Sequence, residues 1–474
     1  MRLLWIFCLL WMWEGVWAQS LSVPAAIDEA FKTYGVDREE VSLWVQAVDA
    51  DVPLVEINGF KQRNPASVAK LLTTAGGLIR LGEDFRWQTQ FYVDALPDAQ
   101  GVVEGNLYVK GGGDPFLVDE RFEAMLRALR DSGIRHITGN LVLDNSMFAL
   151  ALEERDAVTF DGQGWQPYNA IPDALMLNFR TLKVRFEPEG SQGVAVSLVP
   201  KINSWKVVDE LRVLNKAACN REGFSPSFEL LRDAQGMVRL QVTGNYSRRC
   251  GVQELLVAMG EASELFYYAF LEQWQALGGS VDGQGMLAKV PSTAKLVYVG
   301  ESLPLADLIE KMNQESNNVM TRQLLLTLGG EVFGEPATLQ RSRTALLQTL
   351  SAFGVDTRGM IVDNGSGLSR VTRVSAAQLV MLLRSLYYSD KGEAFMRSLA
   401  VAGESGTLRK RYRGEVLEGR VFGKTGTINQ VRAFAGFVQA RSGRDYVVVM
   451  LANGKTAVKS RAMQDAVLRW VYER

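Results

Sequence analysis

Ser67-Val68-Ala69-Lys70 places a hydroxyl and an amine three residues apart, at the head of a strongly amphipathic stretch. Residues i and i+3 share one helix face, so the Lys70 amine can reach the Ser67 hydroxyl, and a helix N-terminus favours negative charge developing there. A lysine stripped of water can be neutral at working pH and take the serine proton. Taken alone the pattern is weak, because it more often marks a capped helix with a solvated lysine. Ser316-Asn317-Asn318 is a second candidate: a hydroxyl and an amide two residues apart in a tight connection can face one cleft, relaying a proton and holding a carbonyl, although Ser and Asn are also ordinary helix caps. The third is Gly423-Lys424-Thr425-Gly426-Thr427. Lys424 can hold a carboxylate, Gly426 lets a ligand backbone approach a strand edge, and the Thr427 N–H can point at an oxyanion.

The composition narrows the chemistry. The 474-residue chain has a single histidine and three cysteines. A Ser-His-Asp hydrolase would rest on His136 alone, and a catalytic zinc site built on several imidazoles lacks ligands. His136 lies outside all three motifs and reads as a structural residue. Gly419-Arg-Val-Phe-Gly423-Lys424-Thr425 approaches a phosphate-binding loop, but is one residue short and leads into an alternating strand rather than a helix. With 52 basic against 53 acidic residues the chain carries no overall basic field for nucleic acid.

Arg2, the eleven-residue apolar run Leu3–Trp13 and Val16-Trp17-Ala18 read as a secretion signal cleaved after Ala18. An uncleaved anchor is the alternative, yet the run is short of the ~20 residues a span needs. Losing Cys8 with the signal leaves Cys219 and Cys250, an even pair in an exported chain. A disulfide between them is expected, contributing roughly 3–4 kcal/mol by loop entropy, with two buried free thiols as the alternative.

These motifs need elements to position them. A short helix is expected over Pro24–Lys32, a strand over Val41–Val48, and a helix after Pro65 with Val68, Leu71, Leu72, Ala75, Leu78 and Ile79 on its core face. From Phe85 to Val290 the texture changes to short alternating strands broken by glycine and Asp/Asn turns. Gly105-Asn-Leu-Tyr-Val and Gly139-Asn-Leu-Val-Leu-Asp144 resemble each other without making a repeat architecture. Helices over Leu305–Met312, Val319–Leu328 and Ser375–Tyr387 follow. Strands over Val421–Thr427, Arg432–Ala440 and Tyr446–Ala452 then form a meander before a C-terminal helix. The expected fold is α+β: helices on an antiparallel sheet (19–84 and 291–474), split by a β-rich insertion (85–290) of two subdomains.

Taken together and in this order, the three motifs resemble those of penicillin-binding proteins and β-lactamases. With Asp363-Asn-Gly-Ser-Gly-Leu-Ser369, Gly406-Thr-Leu-Arg-Lys-Arg411 and the 249-residue interval between Ser67 and Ser316, the sequence resembles the D-alanyl-D-alanine carboxypeptidase/endopeptidase family of low-molecular-mass, class C penicillin-binding proteins. That resemblance implies a penicillin-binding transpeptidase-type domain and an acyl-serine mechanism on peptidoglycan stem peptides, without a cofactor or metal. It implies Ser67 as nucleophile, Lys70 as base, Ser316 and Lys424 as a proton relay, and Asn318 orienting Lys70 and substrate. Lys424, Thr425 and Thr427 would hold the terminal carboxylate beside Gly426, and the N–H groups of Ser67 and Thr427 would form the oxyanion hole. It further implies β-lactam antibiotics as covalent inhibitors and a periplasmic location, and leaves homo-oligomerisation and peripheral membrane attachment open. A β-lactamase of related fold and a non-catalytic cell-wall-binding protein are the alternatives. No Glu-x-x-Leu-Asn-like segment between Ser316 and Lys424 supports the former, and the intact Ser67, Lys70, Ser316 and Lys424 argue against the latter. Asn317 stands where related enzymes often carry aspartate. Trp165, Tyr168 and Asn169 read as packing residues of an interdomain loop.

Overall fold

The computed structural model describes residues 23–155, 160–190, 193–233 and 237–474; the expected signal, residues 1–18, lies outside them. At its centre is a six-stranded antiparallel sheet in the order Ala400–Val401, Val421–Ile428, Val431–Gln439, Asp445–Asn453, Val41–Ala47, Val55–Ile57. Its long strands are apolar on both faces because both faces are covered. In Asp445–Asn453, Val447, Val449 and Leu451 face a helical layer, while Tyr446, Val448, Met450 and Ala452 face the two terminal helices. The helical layer comprises Lys70–Leu81, Leu305–Gln314, Asn318–Phe333, Leu339–Ala352 and Ala376–Tyr387. The terminal helices are Ala25–Tyr34 and Ser460–Tyr472. All six apolar residues assigned to the core face of the helix after Pro65 pack into this core, Ile79 only partly.

Between these parts the chain builds two further cores. A five-stranded sheet runs Gly285–Leu287, Leu141–Asp144, Leu107–Gly111, Gln88–Val93, Lys295–Glu301. Helices Asp119–Asp131 and Ala262–Ala276 pack with it through Phe122, Leu126, Phe266 and Phe270. These two helices are absent from the β-rich reading of the sequence. Lys295–Glu301 pairs antiparallel with Gln88–Val93, so the strand after residue 290 belongs with the sheet of the insertion, whose end moves past Glu301. The two similar segments are neighbours: Leu107 is in parallel register with Leu141, and Asn140 N donates to Asn106 Oδ1 at 2.8 Å. The other core gathers Val184, Phe186, Phe228, Leu240, Val242 and Tyr246 from a three-stranded and a four-stranded sheet. Cys219 and Cys250 are disulfide-bonded beside it, with Cα atoms 5.0 Å apart.

Candidate active site

Ser67 lies in a 3-10 turn, Ala66–Ala69, that runs directly into helix Lys70–Leu81. The turn is strained: Ala66 has φ of 45°, a conformation a non-glycine residue adopts only when its surroundings over-determine it. Those surroundings are visible. Ala66 N donates to Asn64 Oδ1 at 2.8 Å, Asn64 Nδ2 donates to Ser369 O at 2.8 Å, and Asn64 and Asn453 exchange backbone-to-amide bonds of 2.7 and 2.9 Å. Gly367, at φ of 78°, packs so close that a Cβ there would lie 1.9 Å from Ala66 O.

Lys70 is fully buried one turn from Ser67. Its Nζ lies 3.2 Å from Ser67 Oγ, 2.7 Å from Asn318 Oδ1 and 2.5 Å from the Ser366 carbonyl. Burial first, and the Lys424 ammonium second, hold Lys70 well below the usual lysine range. A neutral amine has two N–H donors and one lone pair. The Asn318 and Ser366 oxygens can only accept, so they take both N–H groups and leave the lone pair to Ser67. The hydroxyl is then obliged to donate to Lys70.

Ser316 sits in the connection between helices Leu305–Gln314 and Asn318–Phe333, at φ of 59°. Asn317 caps the second helix, accepting from Met320 N at 3.0 Å, a task aspartate performs equally well. With Asn317 spent on the cap, Ser316 and Asn318 flank it at the cleft. Lys424 Nζ donates to Ser316 Oγ at 2.9 Å and to Thr425 O at 3.0 Å. Lys424 is fully buried, and burial pushes its amine down to about 7.

Val421–Ile428 pairs with Ala400–Val401 only at Phe422 and Gly423, while its other edge pairs with Val431–Gln439 throughout. From Lys424 onward one edge is therefore free of a neighbouring strand. Gly426 meets the serine turn there: a Cβ on it would lie 2.6 Å from Pro65 O and 3.0 Å from Ser67 N. Thr425 Oγ1 contacts Thr407 Oγ1 at 2.9 Å, and Thr427, two residues on, is exposed.

The eight site residues expected from sequence thus converge from three separated stretches. His136 stands elsewhere, in a short strand of the insertion, with Nδ1 2.7 Å from Ser280 Oγ and Nε2 3.1 Å from Asp282. Sequence reasoning missed Asn64, Asn453, Thr407 and the Ser366 carbonyl. Their signal was the two quoted segments between the second and third motifs, which hold Ser366 and Thr407; nothing in the sequence singles out Asn453. It also treated Tyr168 as packing alone, whereas the Tyr168 carbonyl accepts from Asn318 Nδ2 at 3.2 Å.

A serine on a helix start, a buried lysine three residues on, and a second buried lysine on the facing strand form the constellation that the sequence resemblance assigns to penicillin-recognising, active-site-serine enzymes. The chain belongs to the D-Ala-D-Ala carboxypeptidase 3 (S13) family, whose profile matches residues 23–474, and its activity is that of a D-alanyl-D-alanine carboxypeptidase. It is 30% identical over 426 residues to the D-alanyl-D-alanine carboxypeptidase of Actinomadura sp. (strain R39), covering 86% of this chain and 77% of that protein. It is 25% identical over 410 residues to D-alanyl-D-alanine carboxypeptidase DacB of Haemophilus influenzae, covering 85% and 82%. The fold is shared with penicillin binding protein 4 (dacB) from Haemophilus influenzae, at a TM-score of 0.78 and 23% identity over 94% of this chain and 99% of that one.

Proposed function

We propose that Ser67 is the nucleophile and Lys70 its general base in cleavage of the terminal D-alanyl-D-alanine bond of peptidoglycan stem peptides. The observation that carries this is the Lys70 amine, fully buried and within hydrogen-bond distance of Ser67 Oγ, Asn318 Oδ1 and the Ser366 carbonyl. Ser67 Oγ adds to the carbonyl carbon of the penultimate D-alanine as its proton passes to Lys70 Nζ. The resulting oxyanion lies between the N–H groups of Ser67 and Thr427. Collapse breaks the C–N bond, and the departing amine takes a proton through Ser316 from Lys424. The proton that Lys70 took from Ser67 passes to the now-neutral Lys424, which restores both amines. Water then attacks the ester carbon as Lys70 takes its proton, and Lys70 returns that proton to Ser67 Oγ as the ester C–O bond breaks. Lys424, Thr425 and Thr427 hold the terminal carboxylate, and Gly426 gives the substrate backbone access to the free strand edge. Losing one oxyanion donor typically costs about 3–4 kcal/mol of transition-state stabilisation.

In this reading a β-lactam acylates Ser67 as a substrate mimic, and cross-linked peptides are cut by the same chemistry. Arg2, Leu3–Trp13 and Val16-Trp17-Ala18 support export to the periplasm, and no helix among the described residues is long and apolar enough to cross a membrane. The test is product analysis on purified cross-linked and uncross-linked muropeptides with the wild type and Ser67→Ala. Ser67-dependent release of D-alanine is expected. Rapid turnover of penicillin with no D-alanine release would replace this function with that of a β-lactamase.

A further inference from the structure

The Asn318 amide is held from both ends. Its Oδ1 accepts from Lys70 Nζ at 2.7 Å and its Nδ2 donates to the Tyr168 carbonyl at 3.2 Å. Turned by 180°, the amide would offer its NH2 to the Lys70 lone pair that Ser67 needs, and would set its oxygen against the Tyr168 carbonyl, acceptor facing acceptor. The Tyr168 carbonyl therefore decides which end of the amide meets the base.

That carbonyl is itself clamped. The buried Asn169 donates through Nδ2 to Asp161 Oδ1 at 2.9 Å and to Gln163 O at 3.0 Å, and the Tyr168 hydroxyl donates to Asp161 Oδ2 at 2.8 Å. On the far side the Ala170 carbonyl accepts from Arg322 Nη1 at 3.0 Å. Arg322 lies four residues beyond Asn318 on helix Asn318–Phe333, one turn along the same face. One helix thus holds the inserted segment at two alternate positions, Tyr168 and Ala170. Arg322 is half-buried and makes no ion pair among the described residues, and burial lowers its guanidinium to about 10. Asp363 offsets this only at longer range, without an ion-pair contact. Desolvating a charge with no carboxylate in contact is unfavourable, and a residue that only filled this space would be apolar.

We propose that Arg322 is a positioning residue for acylation: by holding Ala170 it keeps the Tyr168 carbonyl on Asn318, and so keeps the Lys70 lone pair on Ser67. This deepens the reading of Lys70 as base and rests on it. The experiment is a double-mutant cycle on the rate constant for acylation by a fluorescent penicillin, using Arg322→Met, Asn318→Ala and the double variant, each with its melting temperature. Arg322→Met is expected to slow acylation at least tenfold, and Arg322→Lys, which can still donate to Ala170, to recover most of the loss. In the Asn318→Ala background Arg322→Met is expected to cost less than threefold, because the amide it orients is gone. An unchanged rate in Arg322→Met, or the same loss in both backgrounds, overturns the proposal. Should Arg322→Met melt below the assay temperature, Arg322→Leu, which also cannot donate and is measured below its own melting temperature, carries the cycle with the same expectations. Labelling that persisted in Ser67→Ala would instead overturn the underlying mechanism, a result distinct from an additive cycle.

Discussion

Lys424 donates from Nζ to Ser316 Oγ at 2.9 Å across 108 residues of sequence, closing the cleft opposite Lys70 with a second fully buried lysine. Two buried amines facing one cleft disfavour each other's charge, and both are lowered, Lys70 by burial and by Lys424, Lys424 by burial. In the proposed mechanism this depression favours an amine at Lys70 that accepts a proton, with Lys424, poised near neutrality, returning one.

The same burial has a stability consequence. Lys424 is lowered from 10.5 to about 7, so between those values the unfolded chain binds more protons than the folded one, and folding stability rises with pH across that window. Replacing Lys424 by Met removes this penalty. We predict that Lys424→Met melts at a higher temperature than wild type at pH 7, that the gain shrinks by pH 10, and that acylation is lost. A melting temperature that falls at pH 7 and is insensitive to pH would contradict it.

Asn318→Asp sets a carboxylate against the Lys70 amine. An opposite charge at hydrogen-bond distance favours the ammonium and removes the lone pair. Acylation at pH 7 is expected to fall by roughly 10²–10⁴-fold, the usual worth of a positioned general base, with its alkaline rise moved to higher pH. Stopped-flow acylation rates from pH 6 to 10 would show this, and an unshifted profile would argue that Lys70 is not the base.

Gly426→Ala tests the contact between strand and serine turn. A Cβ 2.6 Å from Pro65 O and 3.0 Å from Ser67 N forces the two apart. Overpacking of this kind typically destabilises by about 1–3 kcal/mol, and the displacement falls on Ser67 N, one of the two proposed oxyanion donors. Denaturant melts should show a loss in that range, with acylation reduced more than stability alone explains. A fully active, equally stable variant would mean that the turn yields freely.

His136→Ala should leave acylation by penicillin intact. Its ring bonds Ser280 and Asp282 within the insertion and touches none of the three motifs. A folded variant that no longer labels would reopen an imidazole mechanism.

The candidate site residues were legible as a group because each motif is local: Ser67 and Lys70 share a turn, Ser316 and Asn318 flank a cap, and Lys424 lies on an alternating strand. The sheet was legible too, since Val447, Val449 and Leu451 alternate with Tyr446, Val448 and Met450. What escaped depends on backbone groups and distant pairs. The carbonyls of Ser366 and Tyr168 have no side-chain signature, and the Asn64–Asn453 pairing joins residues 389 positions apart. Helix Asp119–Asp131 carries a regular core stripe, Phe122, Met125, Leu126 and Leu129 at i, i+3, i+4 and i+7, so its signal is in the sequence and the strand-rich surroundings mask it. Nothing in the sequence singles out Arg322, since only the folded chain brings the Ala170 carbonyl to it.

The most direct test of the central claim is to trap the acyl-enzyme with a penicillin and with a D-alanyl-D-alanine stem peptide, and to locate the adduct by peptide mass spectrometry alongside released D-alanine. A single adduct on Ser67 is expected, absent together with D-alanine release in Ser67→Ala and formed far more slowly in Lys70→Met. An adduct on another residue, or D-alanine released by Ser67→Ala, would contradict the lysine-activated serine mechanism.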